Sequence, residues 1–252
     1  MNSKANRLFL YLGGFFIANA LIAEFIGVKI FALEDSLGWE KMEFNFFGIA
    51  TSFDLTAGVI LWPIVFVMTD IINEYFGKKG VRLLSYFAVI LISYAFVMVY
   101  LAIAAVPASW WPAVNQSRGM EDMELAFELV FGQGLWIIVA SLVAFLISQL
   151  IDVIVFQRLK RLTGEKAIWL RATGSTLVSQ LIDSFVVLFI AFKIGGGWST
   201  EQVLAIGFTN YIYKFSMAII LTPALYGAHF VIDRYLGEDL ANQLKQTASE
   251  GS

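Results

Sequence analysis

Runs of roughly 20 apolar residues recur along the whole chain, and that is the length a helix needs to cross the hydrocarbon core of a bilayer. Six such runs occupy residues 8–33, 55–76, 81–106, 135–157, 172–194 and 203–232. Only 15% of the 252 residues are charged, against about 25% in soluble domains. The pattern predicts an all-α integral membrane protein, a single membrane domain over 1–252 with six transmembrane helices. The first run is too long for a signal peptide and is read as a retained span. Run six exceeds a straight crossing, so Pro223 is expected to kink it, and Pro63 to kink run two.

The basic residues alternate between connections. Lys4 and Arg7 precede run one; Lys78, Lys79 and Arg82 join runs two and three; Arg158, Lys160, Arg161, Lys166 and Arg171 join runs four and five; Arg234 and Lys245 follow run six. The other connections hold mostly acids, among them Glu34, Asp35, Glu40, Glu43, Glu121, Asp122, Glu124 and Glu128. The positive-inside rule puts the basic side, and both termini, in the cytoplasm. Residues 120–131 mix acids with Leu125, Phe127, Leu129 and Phe131, which predicts a short amphipathic helix at the outer interface. Trp110 and Trp111 fit an aromatic belt there.

Polar residues inside the runs carry the functional information, because such groups are costly in lipid and face a partner or a cavity. The string Ser-Gln-Leu-Ile-Asp occurs twice, at Ser148–Asp152 and Ser179–Asp183. Counting helical rise from Arg158 and Arg171 places Gln149 and Gln180 at one depth, about 13 Å in. The two runs are antiparallel, so the repeated motif is inverted in space. Within each copy the Gln and Asp are three apart and share a helix face. In run two Asp70, Asn73 and Glu74 also share a face, with Glu74 placed to pair with Lys78 or Lys79. Glu24 and Lys214 lie in the outer half, where Lys214 can pair with Glu24 or Asp183. The candidate binding set is therefore Asp70, Asn73, Glu74, Gln149, Asp152, Gln180, Asp183 and Lys214. The plainer account is that these groups hold helices together, and that account suits Gly13, Gly14, Gly174 and Ser175 better than a ligand role.

Enzyme chemistry has little to stand on. There is no cysteine, one histidine (His229), no phosphate-binding glycine loop and no nucleophile with a histidine partner. An aspartyl dyad needs two carboxylates sharing a proton, whereas Asp152 and Asp183 differ in depth by about 9 Å. A net charge of −3 does not suggest nucleic-acid binding. No enzyme activity, cofactor or metal is expected.

Three stretches carry a family resemblance: Thr69-Asp-Ile-Ile-Asn-Glu-Tyr-Phe-Gly-Lys-Lys79, Ser148-Gln-Leu-Ile-Asp-Val-Ile-Val-Phe156 and Leu170-Arg-Ala-Thr-Gly-Ser-Thr-Leu-Val-Ser-Gln-Leu-Ile-Asp183. They resemble the queuosine precursor transporter family, within the bacterial vitamin uptake transporter group. In its six-helix plan that family is similar to the substrate-binding subunits of energy-coupling-factor transporters. The resemblance implies uptake of 7-cyano- or 7-aminomethyl-7-deazaguanine across the bacterial inner membrane by a multi-pass protein. It makes a nucleobase-like small molecule and the lipid bilayer the expected partners, with self-association left open. The alternative is a binding subunit served by a separate ATP-driven module, for which Gly14, Ala18 and Ala20 are candidate docking positions.

The residues fit such a base. A guanine-like edge presents an N1–H and a 2-amino donor to a carboxylate, and an O6 acceptor to an amide. Its flat face suits an aromatic neighbour, worth about 1–3 kcal/mol per base.

Overall fold

The computed structural model describes residues 3–132, 134–163 and 168–250; Lys166 lies outside them. Among the described residues, five helical segments are long and apolar enough to cross a membrane: Lys4–Ile26, Ala57–Ala104, Met123–Thr163, Trp169–Ile194 and Thr200–Ile220. Helix α1 spans Ser3–Ile26. A short helix, α2 (Leu33–Leu37), follows, and then α3 (Trp62–Ala104).

As one straight rod, the 43 residues of α3 would measure about 64 Å, twice a hydrocarbon core of about 30 Å. The rod is broken at Gly77, whose φ of 65° and ψ of −174° belong to a region essentially reserved for glycine. Packing on α1 shows what the break does. Ahead of it, Gly58 lies against Ala23 and Gly27, while Phe76 meets Phe9 with ring centroids 4.9 Å apart. Beyond it, Gly80 is again at Phe9, Leu84 fills the space beside Gly13, and Phe96 meets Phe25 at 5.5 Å. The chain runs antiparallel to α1 up to Gly77 and parallel to it afterwards, so it doubles back there.

After the reversal, α3 shows why this fold belongs in lipid. Val81, Leu84, Ala88, Ile92 and Phe96 are buried against the bundle. The opposite stripe, Leu83, Tyr86, Phe87, Ile90, Tyr94, Val97 and Leu101, is exposed and equally apolar. A surface helix in water would carry polar residues there.

Two short two-stranded ribbons interrupt the all-α plan. Strands β1 (Ile30–Ala32) and β4 (Asp54–Thr56) pair antiparallel, and β2 (Phe44–Phe46) with β3 (Ile49–Thr51) forms a hairpin. Phe47 and Gly48, both at positive φ, make its turn. The first apolar run therefore ends as helix at Ile26, not at Leu33, and Leu55 lies within a strand instead of starting a helix. Both ends are apolar enough to read as membrane, but β-branched and aromatic residues pair there as strands. A bond of 2.8 Å between the Thr51 and Thr209 hydroxyls ties the hairpin to the bundle. Pro63 falls in the first turn of α3, where no helical hydrogen bond is lost, so it makes no kink.

Helix α4 (Met123–Phe131) is the expected short helix, capped by Asp122, whose carboxylate accepts from the backbone of Glu124 and Leu125. Helices α5 (Leu135–Thr163) and α6 (Ile168–Leu188) form an antiparallel pair, and a π-helical turn at Phe189–Ile194 prolongs α6. The last run is divided into α7 (Thr200–Ile220) and α8 (Thr222–Leu236), with the expected break next to Pro223. The Thr222 hydroxyl donates to the Ala218 carbonyl at this break. A final helix, α9 (Glu238–Glu250), was not expected from the apolar pattern because it is polar. It lies across the end of the bundle, with Ala248 against Gly77 and Lys245 bonded to Asp233 of α8 at 2.9 Å. The bundle thus has a ribbon end and an α9 end.

Candidate functional site

The duplicated motif forms a reciprocal lock. Ser148 of the first copy donates to Asp183 of the second at 3.3 Å, and Ser179 of the second donates to Asp152 of the first at 2.9 Å. Antiparallel packing of two identical strings produces this local two-fold relation. It places Gln149 and Gln180 near its centre, in agreement with their expected equal depth. Asp183 lies toward the ribbon end and Asp152 toward the α9 end.

Toward the α9 end, charges are closely paired. The Glu74 carboxylate takes Arg171 in a two-pronged contact, 2.7 Å from Nη2 and 3.1 Å from Nε. Lys160 lies 3.4 Å from the same carboxylate and donates to the backbone carbonyls of Glu74 and Lys245. Gln157 donates to the Asn73 side-chain oxygen at 2.5 Å. Glu74 and Arg171 are completely buried. Glu74 thus pairs across the bundle with Arg171 and Lys160, not with Lys78 or Lys79 beside it in sequence. Arg171 and Lys160, read as loop charges, are enclosed by helices, so depth counted from Arg171 is not a distance from water.

In the middle layer the bonds are sparser. Asp70 accepts from Ser175 at 3.4 Å and from Thr176 at 3.3 Å. Thr69 donates to the Gln149 side-chain oxygen at 3.0 Å. Several buried atoms have no hydrogen-bond partner among the described residues: Gln149 Nε2, both amide atoms of Gln180, Asp152 Oδ2 and Asn73 Nδ2. Buried polar groups of native proteins are normally paired, and each exception calls for an explanation. These exceptions offer both donors and acceptors from three helices.

Lys214 closes the layer on the ribbon side. Its ammonium lies 2.6 Å from Asp183 Oδ2, which resolves the two pairings open to it. Two cavities meet at this lysine. A wide one opens at the ribbon end and is lined by Glu24, Trp62, Ser141, Asp183, Asn210 and Lys214, among others. A narrow crevice runs between α3, α6 and α7–α8 toward the α9 end, past Asp70, Thr176, Gln180 and Lys214.

Some of this layer escaped the sequence reading although a signal was present. Thr69-Asp-Ile-Ile-Asn73 has the same order of hydroxyl, polar, apolar, isoleucine and polar as Ser-Gln-Leu-Ile-Asp. It is a degenerate third copy, on the third helix of the layer. Ser175, read as a packing residue, supplies a hydroxyl to Asp70. Among the described residues no cluster of potential metal ligands occurs.

Comparison with known proteins identifies relatives of this chain. Over 184 residues, 71% of this chain and 75% of the relative, the chain is 32% identical to the "Probable queuosine precursor transporter" of Bacillus subtilis (strain 168). It is 29% identical over 180 residues, 70% of this chain and 68% of the relative, to the protein of the same name in Haemophilus influenzae (strain ATCC 51907 / DSM 11121 / KW20 / Rd). To the "Queuosine precursor transporter" of Escherichia coli (strain K12) it is 29% identical over 179 residues, 69% of this chain and 72% of the relative. No solved structure matches. Residues 56–228, which contain the reciprocal lock, the unpaired amides and Lys214, match the family model described as "Putative vitamin uptake transporter". This chain belongs to the vitamin uptake transporter family.

Proposed function

We propose that this protein takes up a queuosine precursor, the 7-cyano or 7-aminomethyl form of 7-deazaguanine, across the bacterial inner membrane. The observation that carries the reading is the set of unpaired buried atoms on Gln149, Gln180 and Asp152. A guanine edge complements that set. Its N1–H and 2-amino group suit the free Asp152 and Gln180 oxygens, and its O6 suits the free amide nitrogens. Lys214 and Asp183 stand between the two cavities, so passage requires their ion pair to part. Asp70, beside Gln180 in the crevice, is a second acceptor. Asn73 and Glu74 border this layer from the α9 side, where Gln157 and Arg171 already occupy their oxygens.

The chain crosses the bilayer six times, a count supported by the reversal at Gly77. Both termini are cytoplasmic and the ribbon end faces outward, supported by the alternation of basic connections. The plan resembles the substrate-binding subunits of energy-coupling-factor transporters. Of the candidate docking positions on α1, Ala20 is fully buried in the core, while Gly14 and Ala18 face outward.

Uptake of radiolabelled base by the purified protein in liposomes tests the reading. Saturable uptake by the protein alone is expected, with no uptake of unrelated vitamins. Uptake that occurs only with a co-purifying ATPase would replace the carrier with the binding-subunit alternative.

A further inference from the structure

We infer that the hollow between the Gly77 elbow and α9 binds the phosphate of an anionic phospholipid. Lys78 and Lys79 hold the head group, and the acyl chains lie along α3.

Two elements enclose this hollow. Phe76, Lys78 and Lys79 line it from α3, and Leu244 and Thr247 line it from α9. No acid lines it. The interior cations of this end each face a carboxylate: Arg171 and Lys160 face Glu74, and Lys245 faces Asp233. Among the described residues, Lys78 and Lys79 make neither an ion pair nor a side-chain hydrogen bond. Arg82 shares their helix face by its spacing, and its buried Nε has no hydrogen-bond partner among the described residues. Three neighbouring cations repel one another, and an anion placed among them relieves that repulsion.

Two observations make the bilayer the source of that anion. The elbow is where α3 doubles back at the end of the bundle, which is the level of the lipid head groups. Lys79 also stands at the head of the lipid-facing stripe of α3. Leu83, Tyr86 and Ile90 follow it at helical spacing, and all three are exposed. A lipid whose phosphate rests on the lysines can lay its chains down that stripe, whereas a free phosphate has no use for it. Basic pockets between membrane helices on the cytoplasmic side bind such head groups. A phosphate held there also lies against α9, so lipid binding and the docking of α9 support each other.

Two lipids differing only in head group test this. The full-length protein, purified in detergent, is titrated with phosphatidylglycerol and with phosphatidylcholine of the same chains, and its melting temperature is followed. Phosphatidylglycerol should raise it, while phosphatidylcholine, and inorganic phosphate at the same concentration, should not. Lys78→Gln/Lys79→Gln should need roughly thirtyfold more phosphatidylglycerol for the same rise, the attraction of two cations to an anionic lipid. Arg158→Gln, which removes an exposed cation of α5 outside the hollow, should respond as wild type does. If the double variant fails to fold, Lys79→Gln, at an exposed position, should need about fivefold more.

Equal responses of wild type to the two lipids would overturn the inference. So would a full response to inorganic phosphate, which would make this a site for a free anion. A wild-type response in Lys79→Gln or in the double variant, or an equal loss in Arg158→Gln, would remove the lipid from this hollow.

Discussion

The two ends of the polar interior are built on opposite rules. At the α9 end, Glu74, Arg171 and Lys160 bond one another so closely that the carboxylate has both oxygens occupied. Nearer the middle of the bundle Gln180 is also buried, and neither amide atom has a partner among the described residues. Saturated buried charges fix a structure, because nothing else can bind them without breaking it. Unsaturated buried amides waste energy unless something arrives to pair with them. The difference separates a structural clamp from a recognition layer within one helix bundle.

The largest expected effect lies in the clamp. Arg171→Met should destabilise the protein by roughly 3–5 kcal/mol, because it removes both of the close bonds to a buried carboxylate and leaves only Lys160, at 3.4 Å, to face it. Thermal unfolding in detergent measures it. A variant as stable as wild type would mean that the clamp is not structural and the contrast is false.

Asp183→Asn comes next, and here the loss should appear in transport. Uptake should fall about a hundredfold, as when one member of an enclosed charge pair is removed. The variant leaves Lys214 without its counter-ion, so stability also falls. The double variant Asp183→Asn/Lys214→Met removes both charges and should regain stability without regaining uptake. Recovery of both would place Asp183 and Lys214 with the clamp.

Gly77→Ala should cost roughly 1–3 kcal/mol, the price of forcing a side chain into that backbone region. A Cβ there would also press on Ala248 of α9, 3.0 Å from its carbonyl oxygen. Substrate affinity of the folded fraction should be unchanged, since Gly77 belongs to the saturated end. The smallest effects belong to the reciprocal lock. Ser148→Ala and Ser179→Ala should each lower stability by about 0.6 kcal/mol, the average for hydrogen bonds between membrane helices. Denaturant titration of both singles and the double shows whether the two bonds act as one unit.

Much of this was legible in the chain because membrane solvent imposes strict rules. Apolar run length located the helices, and the repeated Ser-Gln-Leu-Ile-Asp predicted the antiparallel pairing of α5 and α6. Depth counting put Gln149 and Gln180 together. What stayed hidden depended on tertiary partners or on residues that read two ways. Arg171 looked like a loop charge because sequence distance cannot reveal Glu74 as its partner. Ile30–Ala32 and Leu55 looked like membrane because an apolar strand and an apolar helix share their composition. Helix α9 escaped because a polar helix lying across a bundle end leaves no hydropathy signal. Gly77 fell in the expected connection between runs two and three, but nothing in the sequence marked its backbone as the point where one continuous helical segment turns back on itself.

The central claim is that the unpaired amide layer exists to bind the base, and Gln180→Leu tests it most directly. The measurement is the melting temperature of wild type and variant, each with and without saturating 7-deazaguanine base. Removing a buried amide that has no partner should leave the ligand-free protein as stable as wild type or slightly more so. The ligand-induced rise should then be lost or sharply reduced in the variant. A variant that melts earlier without ligand, yet keeps the full rise with it, would show that Gln180 is helix glue and contradict the account.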